Sequence, residues 1–330
     1  MLRDSTRRTD LRPEYHSEKI RALEAGLSKN GIEYEKDLPM SSCSTFRIGG
    51  PADIAVSPRT AEELALSVML AKSAGLPFHV AGNGSNMLYD DEGFRGVLVQ
   101  TQKLRGIGLD GCVLTAGCGA SLMRVTRAAA AAGLSGFEFA YGIPGSVGGA
   151  VFMNAGAYGG QIADIFAGCS VLDSSDGTVR RLTPADMDFS YRHSVLAARR
   201  DLVLLEASFS LDAAGGTVGE ITGRMHGLME RRIEKQPLDL PSAGSVFRRP
   251  APDIYVGKLI EDSGLKGASA GGAAVSVKHA GFIVNTGGAT STDVTELIKR
   301  IKERIASDHG VVLECEIRHL SPDGTEEPAG

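Results

Sequence analysis

Glycine accounts for 42 of the 330 residues, nearly twice its usual share, and much of the excess falls in two runs, GNGSN at 82–86 and YGIPGSVGGAVFMNAGAYGGQ at 141–161. Backbone so poor in side chains makes a weak helix or strand interior, so the fold must carry two loops that approach something closely. One candidate is phosphate, whose oxygens accept from consecutive backbone N–H groups. The other is the chain itself, with the glycines serving tight turns and close packing. Either reading suits one loop alone. For both together, with Asn83, Ser85, Asn86 and Asn154 adding short polar side chains, ligand binding is the stronger reading. Two loops would match the two phosphates of a pyrophosphate.

The common nucleotide motifs are absent. A dinucleotide-binding turn reads G-x-G-x-x-G between a strand and a helix, but here Met87 replaces the third glycine and LYDDEGFRG after it has no helical pattern. No Gly-Lys-Ser or Gly-Lys-Thr closes either loop, so a P-loop fails as well. A net charge of −5 lacks the basic excess that a nucleic-acid partner requires. No stretch approaches the roughly 18 apolar residues of a membrane span, and the opening MLRDSTRRTDLRPEYHSEK has no apolar core. The expectation is a cytoplasmic protein with no membrane or nucleic-acid partner and no evident obligate protein partner. Cys43, Cys112, Cys118, Cys169 and Cys315 are odd in number and scattered. They read as buried reduced thiols, with no metal site.

A chain of this length suits two domains. Residues 1–35 read as an N-terminal arm and a short helix, SEKIRALEAGLSKNG, with Leu23 and Leu27 on one face. Residues 36–210 mix helices and strands irregularly, which points to an α+β fold. TAEELALSVMLAKSAG is a helix opened by Thr60 and Glu63, and LPFHVAG is a buried strand leading into the first glycine loop. GCSVLDSSDGTVRRLT is a hairpin with a type I′ turn at Asp176-Gly177. DAAGGTV marks a boundary, after which 211–320 form the second domain. Its last helix carries a stripe of Val294, Leu297, Ile298, Ile301 and Ile305, and the strand VVLECEIRHL follows. Residues 321–330, SPDGTEEPAG, read as a frayed tail.

PSAGSVFRRP at 241–250 sets Ser245 between a glycine and the pair Arg248-Arg249. A nucleophilic serine needs a neighbouring base and usually a G-x-S-x-G elbow, and A-G-S-V-F is not one, which points away from acyl transfer.

Together the motifs resemble the UDP-N-acetylenolpyruvoylglucosamine reductase (MurB) family. AGNGSNMLYDDEGFRGVLV and GFEFAYGIPGSVGGAVFMNAGAYGGQI look like its FAD-binding region. STFRIGGPAD, FSYRHSVL, GSVFRRP, GKLIEDSGLKG, VSVKHAGFIVN and GVVLECEIRHL complete the match, with every motif in the family's order. The resemblance covers about residues 36–320. It implies an FAD-binding domain of vanillyl-alcohol-oxidase (PCMH) type in two subdomains over 36–210, and an α+β substrate-binding domain over 211–320, in the family's shorter subtype. It further implies FAD as cofactor and NADPH as co-substrate. The reaction implied is reduction of the enolpyruvyl ether of UDP-N-acetylglucosamine to UDP-N-acetylmuramate for peptidoglycan. Another oxidase of the same fold, or a non-catalytic flavin or sugar-nucleotide-binding module, stays open at this point.

By the same resemblance Ser245 is the proton donor, and Arg192 and Glu316 complete the catalytic set. FAD is expected on Arg47, on Gly82, Asn83, Gly84, Ser85 and Asn86, and along the second loop. There the positions are Tyr141, Gly142, Ile143, Pro144, Gly145, Ser146, Gly148, Gly149, Asn154, Ala155 and Gly156. Tyr158, His279 and Arg318 match substrate-holding positions. Lys258 is either a phosphate partner or a surface lysine, and Arg248 and Arg249 either meet a nucleotide or form a solvated pair. In LECEIRHL, Leu313, Cys315 and Ile317 alternate with Glu314, Glu316 and Arg318, so Glu316 and Arg318 leave the apolar face together. Cys315 stands where the family usually has proline.

Overall fold

The computed structural model describes residues 13–251 and 253–330, so the arm expected over the first twelve residues lies outside it. Helix Pro13–Lys29 buries Leu23 and Leu27, and Gly31 beyond it takes φ 68°. It packs on helix Ala61–Ser73, which Thr60 caps by accepting from the Glu63 amide. A four-stranded sheet lies beneath, in the order Tyr34–Pro39, Pro51–Val56, Phe94–Gln100, Phe78–Ala81, with the last three parallel. The second sheet is antiparallel, in the order Thr178–Leu182, Phe166–Asp173, Leu202–Ser210, Val113–Gly117, Ile107–Asp110. One apolar core, including Leu64, Val97, Leu114, Val125 and Phe209, joins both sheets.

A third sheet, Ser242–Ser245, Phe282–Asn285, Ala273–Val275 and Ser269–Ala270, is covered by helix Ser291–His309. All five residues of the expected stripe are buried there, and Gly310 ends the helix at φ 66°. Phe46, Ile48 and Leu88 also enter this core, so early chain segments help to build it. Helix Val218–Lys235, which follows the expected domain boundary, lays Ile221 and Met225 on Ala130 and Tyr141 of the first unit.

Several local expectations give way. The hairpin forms, but its loop is four residues, 174–177, because Asp173 pairs with Thr178 and its Oδ1 accepts from the Ser175 amide at 3.0 Å. Only Gly177 in that loop has positive φ, whereas a type I′ turn needs two such residues. The strand expected over 311–320 shortens to Arg318–Leu320, with Cys315 making an isolated bridge to Phe247. Leu313, Cys315 and Ile317 are buried all the same. Cys112 is exposed, unlike the other four cysteines. Residues 321–330 are not frayed. Strand Glu326–Pro328 pairs with Arg318–Leu320, which in turn runs parallel to Met87–Tyr89, and Ala329 is fully buried. Within this segment the Glu326 side chain is buried in ion pairs with His79, Arg200 and Arg318. Among the described residues no helix is long and apolar enough to cross a membrane.

Candidate active site

A cavity of about 1900 Å³ opens between the glycine loops and the third sheet. A single small ligand fills roughly 300–1,000 Å³, so there is room for a cofactor and a substrate side by side. The loops meet at its wall, where Asn83 Nδ2 donates to the Pro144 carbonyl at 3.0 Å. A Cβ on Gly82 would overlap Ser146 Oγ, and Gly84, at φ 60°, lies against the Cys43 carbonyl. Their glycines are therefore required by contact as well as by conformation.

The backbone donors divide unequally between the loops. Val147 and Gly148 donate to the carbonyls of Ala120 and Cys118 at 2.9 and 2.7 Å. Asn83, Gly84, Ser85 and Asn86 make no such backbone donation among the described residues. The first loop thus presents free N–H groups suited to an anion, while the second, through part of its run, shapes the wall. This donor set fits the diphosphate of FAD.

Most of the expected FAD positions line the cavity, Arg47 included. Two do not. Tyr141 is buried between the first unit and helix Val218–Lys235, its hydroxyl accepting from Arg127 at 3.3 Å. Asn154 is buried at φ 43°. Its amide donates to Gln161 at 3.1 Å and to the Ser190 carbonyl at 2.9 Å, and its Oδ1 accepts from the Ala163 amide at 2.9 Å. It pins the loop from behind.

Arg192, Ser245 and Glu316 all line the cavity. Arg192 has a left-handed backbone at φ 56°; its Nε donates to Glu316 Oε1 at 2.8 Å and its Nη2 to the Gly156 carbonyl at 3.1 Å. Burial pushes the Glu316 carboxyl above its ordinary value, and Arg192, Arg248 and Arg249 oppose this without cancelling it. Ser245 ends the strand Ser242–Ser245 opposite Phe282, after Gly244 at φ 82°. The next residue's carbonyl, that of Val246, accepts from the Glu316 amide at 2.7 Å, which brings serine and glutamate onto adjoining backbone. Among the described residues the Ser245 hydroxyl has no hydrogen-bond partner, and the residue is exposed on the cavity wall.

Tyr158 and Gly159, at φ 55° and 90°, form the two-residue turn between Gly156–Ala157 and Gly160–Gln161, which lifts the tyrosine ring onto the cavity wall. His279 Nδ1 accepts from the Gly281 amide at 3.1 Å, and burial lowers the ring's pKa, so the neutral form carries its hydrogen on Nε2. Arg318 lines the wall too, and so does Arg249, stacked 4.7 Å from the centre of the Tyr255 ring. Arg248 does not reach the wall, and Lys258 pairs with Asp262 away from it.

Sequence reasoning missed Arg232, which is 8% exposed, lines the cavity 5.9 Å from the Tyr158 ring centre, and leaves Nε without a partner. Its signal was the basic last turn of RRIEK before QPL, which resembles any solvated helix end. His79, Arg200 and Glu326 were missed as well.

Residues 236–320 match the family model "UDP-N-acetylenolpyruvoylglucosamine reductase, C-terminal domain", and residues 52–183 match "FAD binding domain". The UDP-N-acetylenolpyruvoylglucosamine reductase of Caldicellulosiruptor bescii is 46% identical over 298 residues, covering 90% of this chain and 94% of the relative. That of Clostridium perfringens is 44% identical over 287 residues, covering 87% and 93%. The crystal structure of the reductase (MurB) from Thermus caldophilus superposes with a TM-score of 0.73 at 33% identity, covering 87% of this chain and 98% of that one. With an FAD-binding domain, a matching C-terminal domain and relatives this similar along most of its length, the chain belongs to the UDP-N-acetylenolpyruvoylglucosamine reductase family.

Proposed function

We propose that this chain reduces the enolpyruvyl ether of UDP-N-acetylglucosamine to the lactyl ether of UDP-N-acetylmuramate, with FAD in the cavity and NADPH as the electron source. The observation that carries the reading is the Arg192–Glu316 pair on the same cavity wall as an unpartnered Ser245 hydroxyl. FAD, when bound, supplies a hydride to the terminal carbon of the enolpyruvyl group. Negative charge then develops at the carbon bearing the carboxylate and spreads into it. Arg192, whose guanidinium is held by Glu316 and the Gly156 carbonyl, stabilises that charge. Glu316, its carboxyl raised by burial, holds a proton more readily than an exposed glutamate and can donate it in a hydrogen bond. Ser245 gives the proton that completes reduction. A serine is a very weak acid, so this needs a strongly basic enolate and a hydroxyl not engaged elsewhere. Tyr158, His279 and Arg318 then hold the sugar nucleotide, with Arg232 and Arg249 adding positive charge for its diphosphate. Because the substrate is a nucleotide-linked precursor, we assign the reaction to the cytoplasm.

The test is NADPH oxidation by the flavin-loaded protein with and without the enolpyruvyl sugar nucleotide. Oxidation should depend on that substrate. Equal oxidation in its absence, or a protein that takes up no FAD, would overturn the reading.

A further inference from the structure

Glu326 draws His79 and Arg200, from distant parts of the chain, and Arg318, from the neighbouring strand, to one buried point. Its side chain is 5% exposed; Oε1 pairs with Arg318 Nε, and Oε2 pairs with Arg200 Nη2 and lies 3.2 Å from His79 Nδ1. Arg318 Nη2 also donates to the Glu326 carbonyl at 3.0 Å. Burial by itself would raise this carboxyl, but His79, Arg200 and Arg318 together hold it well below the ordinary carboxylate range, so it is ionised. The two guanidinium groups lie 5.1 and 5.8 Å from the centre of the Phe152 ring, and all five residues line the cavity. Two arginines against one carboxylate leave positive charge in excess on this wall. Arg318 is gripped through Nε and Nη2, which leaves Nη1 for a ligand.

A free arginine side chain carries considerable rotamer entropy, much of which it must lose when it binds an anion. One already clamped along its guanidinium edge has lost most of it. We propose that Glu326 is a positioning residue: it holds Arg318 in a preorganised geometry, so that an anionic group of the sugar nucleotide meets a guanidinium already in place. The segment 321–330 thereby becomes part of the working site. This inference rests on the activity proposed above.

The test is a double-mutant cycle on the full-length, flavin-loaded protein, with Glu326→Gln, Arg318→Gln and the pair. Binding of the enolpyruvyl sugar nucleotide is read directly from the change in flavin absorbance, without turnover. Glu326→Gln should weaken binding about tenfold, and add less than about twofold once Arg318 is already glutamine. Glu326→Asp keeps the charge and the fold but withdraws it from Arg318. It should weaken binding about threefold and follow the same non-additive pattern, and it decides the matter if the glutamine variant fails to load flavin. Binding within about twofold of wild type for a folded variant, or effects that add, would show that Glu326 serves stability alone. A wild-type protein whose NADPH oxidation does not depend on the sugar nucleotide would instead remove the proposed activity, and this assignment with it.

Discussion

Arg192 Nε and Glu316 Oε1 lie 2.8 Å apart although 124 positions separate them in the chain. The pair ties the first unit to the segment beside strand Ser242–Ser245, and removing either side chain outright would leave the other's charge part-buried without its ion-pair partner.

Glu316→Gln preserves shape and hydrogen bonding to Arg192 while removing the acid. Turnover should fall on the order of 10² to 10³, with the amount of bound FAD unchanged. Steady-state rates beside flavin content per chain check this; an unaltered rate would take Glu316 out of the chemistry.

Ser245→Ala should slow reduction of the sugar nucleotide by on the order of 10² to 10⁴ while leaving reduction of the flavin by NADPH intact. Stopped-flow measurement of the two half-reactions separates these steps. Ser245→Cys should keep more activity than alanine, since a thiol still carries a proton. Equal losses in both half-reactions would remove Ser245 as proton donor.

Gly82→Ala would drive a methyl into Ser146 Oγ at the junction of the two loops. The cost should be about 1–3 kcal/mol, seen as weaker FAD binding and earlier melting. Gly108→Ala, where nothing lies within 4 Å of the added atom, should stay within about 0.5 kcal/mol of wild type. Similar losses in both variants would show that crowding at Gly82 is not the cause.

Acid should act on Glu326. Its folded pKa is depressed, because His79, Arg200 and Arg318 outweigh the opposing effect of burial. An unfolded glutamate takes up its proton near about 4.3. The stabilisation is therefore complete above that value and is lost as pH falls from there toward the lower folded value. Denaturant titrations between about pH 3 and 6 should show wild type losing stability in acid more steeply than Glu326→Gln, which takes up no proton at this position. Parallel slopes would mean that the carboxylate contributes nothing through its charge.

What could be read from the chain beforehand was what repeats locally. The stripe from Val294 to Ile305 names a helix and its buried face, and Gly310 names its end. The glycine runs marked the cavity wall, because close approach leaves its trace in missing side chains. Within the same run, however, Tyr141 and Asn154 turn away from the cavity, and their neighbours do not reveal it. Loop direction depends on packing against helix Val218–Lys235 and on the Ser190 carbonyl, both remote in sequence. Glu326 sits in SPDGTEEPAG, a composition normal for a solvated end. Its burial follows from Arg318 on the neighbouring strand and from partners at positions 79 and 200, which no local pattern connects to it.

Strand Met87–Tyr89, directly after the first glycine loop, has Arg318–Leu320 as its sheet neighbour, and the Asn86 carbonyl accepts from the Arg318 amide. During synthesis that edge emerges from the ribosome long before its partner exists. The first unit can collapse early around its own core, but the first glycine loop keeps one open flank until residues 318–328 arrive. Cofactor capture should therefore be a late event in the life of the nascent chain, and chains halted before residue 318 should fold much of their first unit yet retain FAD poorly.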